Sequence, residues 1–266
     1  MSLPSTYLQS LFGLVGRSAV VTGGSSGIGR TMALALGQAG AHVILVARRP
    51  QPLIETVDEL KRLGVQQASA VLADLSDHEQ LKKVVAEVES ELGGTVPDIL
   101  VNAAGVNKRP HMDQLTLKDW EENIKVNLTA PFLLGQAWGP RMASRKPKSG
   151  GRIINVVSQQ AFRAYGNSGA YGAAKGGLVS LTRSQAEAWS SRGVLCNAVA
   201  PGMVETPLTE AVFADPAKVD AHAARTMIGR NGVPGDFAGV TLYLAGEASA
   251  AVTAQVLFVD GGYSAT

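Results

Sequence analysis

Cysteine is almost missing from this chain. Cys196 is the only one in 266 residues, so no internal disulfide can form, and a reducing, cytoplasmic setting is the expectation. Histidine is scarce as well: His42, His78, His111 and His222 are scattered and make no zinc-like cluster. The chain lacks an excess of either charge. A net charge of +2 offers no bulk attraction to nucleic acid or to an anionic membrane surface. No apolar run approaches membrane-spanning length, and the N-terminus lacks the charged flank and apolar core of a signal peptide. Linkers, fixed-period repeats and low-complexity tracts are also absent, so a single unit is expected. What is present is 45% hydrophobic and only 17% charged, which suits a sheet buried on both faces. Cys196 itself lies in an apolar run over 194–199 and reads as a small buried hydrophobe.

Strand and helix patterns alternate along the chain. Apolar, β-branched runs predict strands at 18–21, 42–46, 68–72, 99–101, 152–157, 194–199 and 256–259, and helical patterns include 53–63, 78–92, 120–142 and 178–190. Alternation with short polar turns implies βαβ units, hence a parallel sheet in an α/β fold. Right-handed crossovers then place ligands at the carboxyl edge, where Gly23, Asn102, Ser158 and Pro201 fall. The basic stretch Arg141, Arg145, Lys146, Lys148 and Arg152 reads as a solvated loop at the opposite edge. One long irregular segment, 202–231, follows a strand and mixes Thr206, Pro207 and Pro216 with charged residues.

Two local patterns carry chemistry. The run ending in Ser158 reads as a buried strand delivering a hydroxyl at its carboxyl end, and Tyr171 and Lys175 are spaced to project from one helix face. A free phenol titrates near about 10, a poor acid or base at neutral pH, and a neighbouring ammonium favours the phenolate. Gly23, Gly27 and Gly29, with Ser25, Ser26 and Ile28 between them, follow the first strand and open a helix. Glycines at such a turn let backbone amides approach a pyrophosphate at the helix N-terminus. The same residues also fit the hydrolase elbow Gly-x-Ser-x-Gly. That reading needs a histidine beyond a suitable acid, which leaves only His111 and His222.

Thr22-Gly23-x-x-x-Gly27-Ile28-Gly29, Asn102-Ala103-Ala104-Gly105, Asn127, Ser158, Tyr171, Lys175 and Pro201-Gly202, in this order, resemble the signature of the short-chain dehydrogenase/reductase family. The resemblance runs from about Leu14 to Val259-Asp260-Gly261-Gly262. It departs at Ala103, where the family usually has a second Asn, and this puts one hydrogen bond supporting the central strand in doubt. The resemblance implies one Rossmann-type domain over 1–266: a doubly wound parallel sheet of about seven strands with helices on both faces. Residues 1–12 would be an N-terminal extension and 202–231 a substrate lid. It implies hydride transfer between a nicotinamide and a carbonyl or secondary alcohol. Tyr171 would exchange the proton, and Lys175 would bond the nicotinamide ribose and depress the Tyr171 pKa. Ser158 would hold the substrate oxygen, and Asn127 would bind a relaying water. Asn102, Ala103, Gly105, Pro201 and Gly202 would also line the cofactor, Asp74 and Leu75 would meet the adenine, and Thr206 the carboxamide. For Asp74 a helix N-cap is an equally physical role.

The second strand ends at Ala47, where NAD-preferring members carry Asp, and Arg48 and Arg49 follow with no acid before Glu55. An acid there would repel a 2′-phosphate, whereas arginine donates to one. NADP(H) is therefore expected over NAD(H). Within the family the chain is most similar to gluconate 5-dehydrogenases and deoxygluconate dehydrogenases. 3-Oxoacyl-carrier-protein reductases are the main alternative, and a non-catalytic cofactor-binding regulator a remote one. Lys108 and Arg109 could grip a substrate carboxylate or form a solvated pair. The resemblance also suggests a homodimer or homotetramer.

Overall fold

The computed structural model describes residues 5–145 and 150–265. Along the chain run α1 (Ser5–Phe12), β1 (Ser18–Thr22), α2 (Gly27–Gln38), β2 (His42–Ala47), α3 (Pro50–Arg62), β3 (Ala68–Leu72), α4 (His78–Glu91) and β4 (Ile99–Asn102). They are followed by α5 (Leu117–Ile124), α6 (Ala130–Met142), β5 (Arg152–Val156), α7 (Gly169–Trp189), β6 (Leu195–Pro201), α8 (Glu210–Phe213), α9 (Pro216–Ala223), α10 (Ala238–Ala245) and β7 (Val256–Val259). The strands form one sheet in the order β3-β2-β1-β4-β5-β6-β7, and every neighbouring pair is parallel. The winding direction reverses between β1 and β4, the switch point at which such sheets open a crevice beyond their carboxyl ends.

Both faces of the sheet are covered, which explains the continuous apolar strands. Val21, Val43, Leu45, Val101 and Ile154 point to one core with Met32 and Leu36 of α2 and Leu244 of α10. Val20, Ile44, Val46, Leu100 and Ile153 point to the other, with Val84 and Val88 of α4 and Leu134 and Trp138 of α6. Cys196 is buried in this second core.

Three expectations need correction. The helix read across 120–142 is interrupted by a π-helical turn, Lys125–Thr129, in which the Ala130 amide donates back to the Lys125 carbonyl. The segment 202–231 is not structureless, since it holds α8 and α9. The basic stretch before β5 is not simply solvated. Arg152 is 3% exposed and its Nη2 lies 3.1 Å from Glu247 Oε1, while Arg145 Nη1 lies 2.5 Å from Asp98 Oδ1 and Arg141 Nη1 2.5 Å from Glu89 Oε1. Carboxylates from distant elements pair with all three guanidiniums, and of these only Arg152 is buried, while Arg141 stays exposed. Lys146 and Lys148 lie outside the described residues.

Candidate active site

The β1–α2 turn is built around backbone proximity. Gly23 has φ +69°, and a Cβ there would stand 2.8 Å from the Ala104 Cα; one on Gly29 would meet the Gly23 carbonyl oxygen at 2.4 Å. Only glycine lets α2 start this close to the strand ends. Thr22 ties the loop to β4, its Oγ1 accepting from the Ala103 and Ala104 amides at 3.2 Å. Ser26 is the N-cap of α2 and makes no side-chain cap bond, so the first amides of the helix are left for an anion. This cradle fits a dinucleotide pyrophosphate.

A cavity of about 570 Å³ runs from the cradle along the carboxyl ends of the strands. Its walls include Gly23, Ser25, Ser26, Gly27, Ile28, Gly29, Ala47, Arg48, Arg49, Asp74, Leu75, Ala103 and Gly105 at one end. Ser158, Tyr171, Lys175, Pro201, Gly202 and Thr206 line the rest. Arg48 and Arg49 are exposed at the end of β2, and Arg49 Nη2 reaches Ser26 Oγ at 3.4 Å. Asp74 is not a helix cap. Its Oδ1 accepts from the Ser76 amide and hydroxyl at 2.9 and 2.8 Å, and Asp77 caps α4 instead. No histidine is among the walls, so the hydrolase alternative has no base at Ser25.

Asn102 and Asn127 do not line the cavity; they brace it from behind. Asn102, 2% exposed, donates to Asn155 Oδ1 at 2.8 Å, and Asn155 donates to Thr182 Oγ1 of α7 at 2.9 Å, which locks β4, β5 and α7 together. The substitution at Ala103 leaves that bond untouched. Asn127, carried by the π turn, donates from Nδ2 to the Val106 carbonyl at 2.8 Å and accepts from the Val106 amide at 3.3 Å. A side chain at Gly105 would meet Asn127 Oδ1 at 3.0 Å, so this asparagine shapes the turn after β4.

Ser158, Tyr171 and Lys175 are buried. Ser158 Oγ accepts from the Gln160 amide at 3.2 Å and bonds Tyr171. Lys175 Nζ donates to the Val156 carbonyl at 2.7 Å and stands 5.7 Å from the Tyr171 ring centre. Burial pushes the Tyr171 phenol up to about 12, opposed by Ser158 and Arg109, and burial brings the Lys175 ammonium down to about 7. The expected depression of Tyr171 is therefore reversed here: desolvation outweighs any charge on the lysine.

Of the two basic residues after β4, Lys108 is drawn away, paired with Glu122 and lying 3.7 Å from Asp119. Arg109 alone lines the cavity. Sequence reasoning missed Asn107, Gln159, Gln160 and Thr209 as wall residues. The two glutamines directly follow Ser158, and that adjacency was the available signal.

The pattern of the family described as enoyl-(acyl carrier protein) reductase matches residues 23–264. A gluconate 5-dehydrogenase of Gluconobacter oxydans (strain 621H) is 36% identical over 252 residues, covering 95% of this chain and 96% of that protein. A 3-oxoacyl-[acyl-carrier-protein] reductase of Aquifex aeolicus (strain VF5) is 34% identical over 249 residues, covering 94% and 98%. The crystal structure of a gluconate 5-dehydrogenase from Burkholderia cenocepacia J2315, in complex with NADP and tartrate, superposes with a TM-score of 0.89 at 34% identity, covering 97% of this chain and 99% of that one.

Proposed function

Because the chain belongs to the short-chain dehydrogenase/reductase family, and is with it an NAD(P)-dependent oxidoreductase, we propose that it moves a hydride between NADP(H) and the carbonyl or secondary-alcohol carbon of a sugar acid. One observation carries the reading: a single cavity joins a glycine cradle with the exposed Arg48 and Arg49 to a buried Ser158–Tyr171–Lys175 group and Arg109. The gluconate-named relatives, one of them solved with NADP and tartrate, support the substrate class and the cofactor.

The cradle and the N-terminus of α2 would hold the pyrophosphate, Arg48 the 2′-phosphate with Arg49 in support, Asp74 and Leu75 the adenine, and Thr206 the carboxamide. Bound there, NADP(H) supplies or accepts the hydride. Tyr171, kept protonated by burial, gives its Oη proton to the substrate oxygen during reduction; in oxidation Tyr171 must first release that proton, and the resulting phenolate takes up the proton of the alcohol. Ser158 donates to the same oxygen, where negative charge develops. Lys175 holds a titratable proton behind Tyr171, and Asn127 fixes the turn that carries Val106. The segment 202–231, with Thr206, Leu208 and Val212 on the cavity wall, acts as the lid.

A 3-oxoacyl-carrier-protein reductase is the second reading, favoured by the Aquifex relative. Asn107, Gln159, Gln160 and Arg109 supply polar groups suited to a sugar acid, although Met203, Val204, Leu208 and Val212 on the same wall would also accept an acyl chain. We read the protein as a cytoplasmic homo-oligomer. Its single cysteine is buried, and the apolar side chains Leu117, Trp120 and Phe132 around the π turn are exposed by 72, 40 and 41%. Among the described residues, no helix is long and apolar enough to cross a membrane.

The test is kcat/KM with both nicotinamide cofactors on D-gluconate, D-glucitol and an acetoacetyl thioester, for wild type and Arg48→Ala. A charge-assisted hydrogen bond is worth about 1.5–3 kcal/mol, so the variant should lose NADP(H) preference by about 10- to 150-fold. Wild-type preference for NAD(H), or for the thioester over gluconate, defeats the corresponding half of the assignment.

A further inference from the structure

Basic side chains from three segments gather around Tyr165 and Tyr263; Arg109 lines the cavity, whereas Arg163 and Arg225 line an adjoining concavity together with Gly166. Arg109, after β4, donates from Nη2 to the Gly166 carbonyl at 3.0 Å. Tyr165, next to that carbonyl, stacks on His222 of α9 with ring centres 6.5 Å apart and planes 13° from parallel. His222 also faces Tyr263 at 6.4 Å, and Arg225, just past α9, lies 4.4 Å above the Tyr263 ring. Arg163 sits against the same ring at 5.8 Å and donates to the Tyr263 carbonyl.

Arg109 contacts a carbonyl and Arg225 an aromatic ring. Among the described residues, neither Arg109 nor Arg225 forms an ion pair with any Asp or Glu, whereas Arg141, Arg145, Arg152 and Arg230 each do. The unbalanced charge reaches its neighbours. His222 is held below its ordinary range, first by burial, then by Arg225 and Arg109, and Arg109 also opposes the rise of the Tyr171 phenol. Arg109 therefore acts on the reacting hydroxyl and on the α9 imidazole together. Like charges in a partly desolvated site repel one another, and a single anion among them relieves every pair at once. A planar carboxylate matches guanidinium donors from two directions.

We propose that His222 and Arg225, carried by the segment after β6, complete with Arg109 a carboxylate-binding site where the cavity adjoins the concavity lined by Gly166 and Arg225, so that the lid segment itself selects for acids. This rests on the sugar-acid reading and adds the lid residues that enforce it. Arg225 is a specificity residue and touches none of the reacting atoms.

The experiment compares D-gluconate with D-glucitol, which has the same carbon chain with CH₂OH in place of the carboxylate. Arg225→Gln and Arg109→Gln should each cut the gluconate-over-glucitol preference in kcat/KM by about 10- to 150-fold, mainly through KM for gluconate. Arg225→Lys should recover part of it. Calorimetric titration of tartrate into the protein with NADP⁺ gives a readout independent of turnover, and Arg225→Gln should weaken it over the same range. If wild type oxidises gluconate and the Gln variants keep the preference, the carboxylate site is overturned while the sugar-acid reading stands. If wild type oxidises no sugar acid, that reading fails. The site then stands only if tartrate binds and Arg225→Gln weakens it; absent or unchanged binding overturns it. Should Arg225→Gln unfold, Arg109→Gln and His222→Phe carry the same comparison.

Discussion

Tyr171 shows how burial can reverse what spacing suggests. Its distance from Lys175 along the helix promised an ammonium that would draw out the phenolic proton. In the folded chain that ammonium donates to the Val156 carbonyl, and desolvation has lowered it to about 7, so near neutral pH it carries only part of its charge. The phenol, 7% exposed, then responds chiefly to its own burial and rises to about 12. The sign follows: burial favours the neutral form, so folding makes Tyr171 a weaker acid and keeps it protonated throughout the neutral range. Ultraviolet titration of the cofactor-free protein, wild type minus Tyr171→Phe, should place this phenolate transition near 12; one at or below the ordinary 10 would contradict the burial argument. The same variant should lose about 10²–10⁴ in turnover and still bind cofactor, because in the proposed mechanism the hydroxyl moves a proton and it holds no part of the cradle. Retention of more than half the wild-type rate would remove Tyr171 from the chemistry.

Helix α6 packs on α7 through glycines spaced four apart. A Cβ on Gly135 would stand 2.3 Å from Gln185 Nε2, and one on Gly139 would stand 2.3 Å from the Trp189 ring. Alanine at Gly139 would bring about 1 kcal/mol of helix propensity, but the Trp189 ring is 5% exposed and has nowhere to withdraw. Overpacking costs about 1–3 kcal/mol, so after that gain Gly139→Ala should lower the unfolding free energy by a net of about 0–2 kcal/mol. Gly239→Ala in α10 is the control, because nothing lies within 4 Å of its added carbon. Equal stability of the two variants would show that α6 and α7 can part without penalty. The π turn ahead of α6 belongs to the same scale. Residue pattern predicts helix there, and no local signal marks the wider turn that brings Asn127 behind Val106.

For the whole chain, cofactor choice should appear as stability. A ligand that binds only the folded state at about 100 times its Kd adds about 2.7 kcal/mol. At about 2–4 °C for each kcal/mol, that raises Tm by about 5–10 °C. NADP⁺ should produce this shift at a concentration where NAD⁺ produces much less, and Arg48→Ala should erase the difference. Equal shifts for the two dinucleotides in wild type would count against arginine recognition of the phosphate.

The seven strands, their parallel order and the carboxyl-edge site follow from local residue pattern, because burial on both faces demands continuous apolar runs and short polar turns must connect them. The same holds for the glycine cradle, set within one turn, and for the Tyr171–Lys175 pair on one helix face, whereas the approach of Ser158 from the end of β5 is a tertiary contact. Pattern does not show which neighbours a polar side chain will meet across the fold. Lys108 faced Glu122 rather than the cavity, Arg152 was drawn in by Glu247, and Asn102 turned to Asn155 behind the wall. Arg109 was brought toward His222 and Arg225 from a segment more than a hundred residues away. Hydrogen bonds and charge interactions depend on distance in space, and spacing along the chain reports that distance only inside a single element.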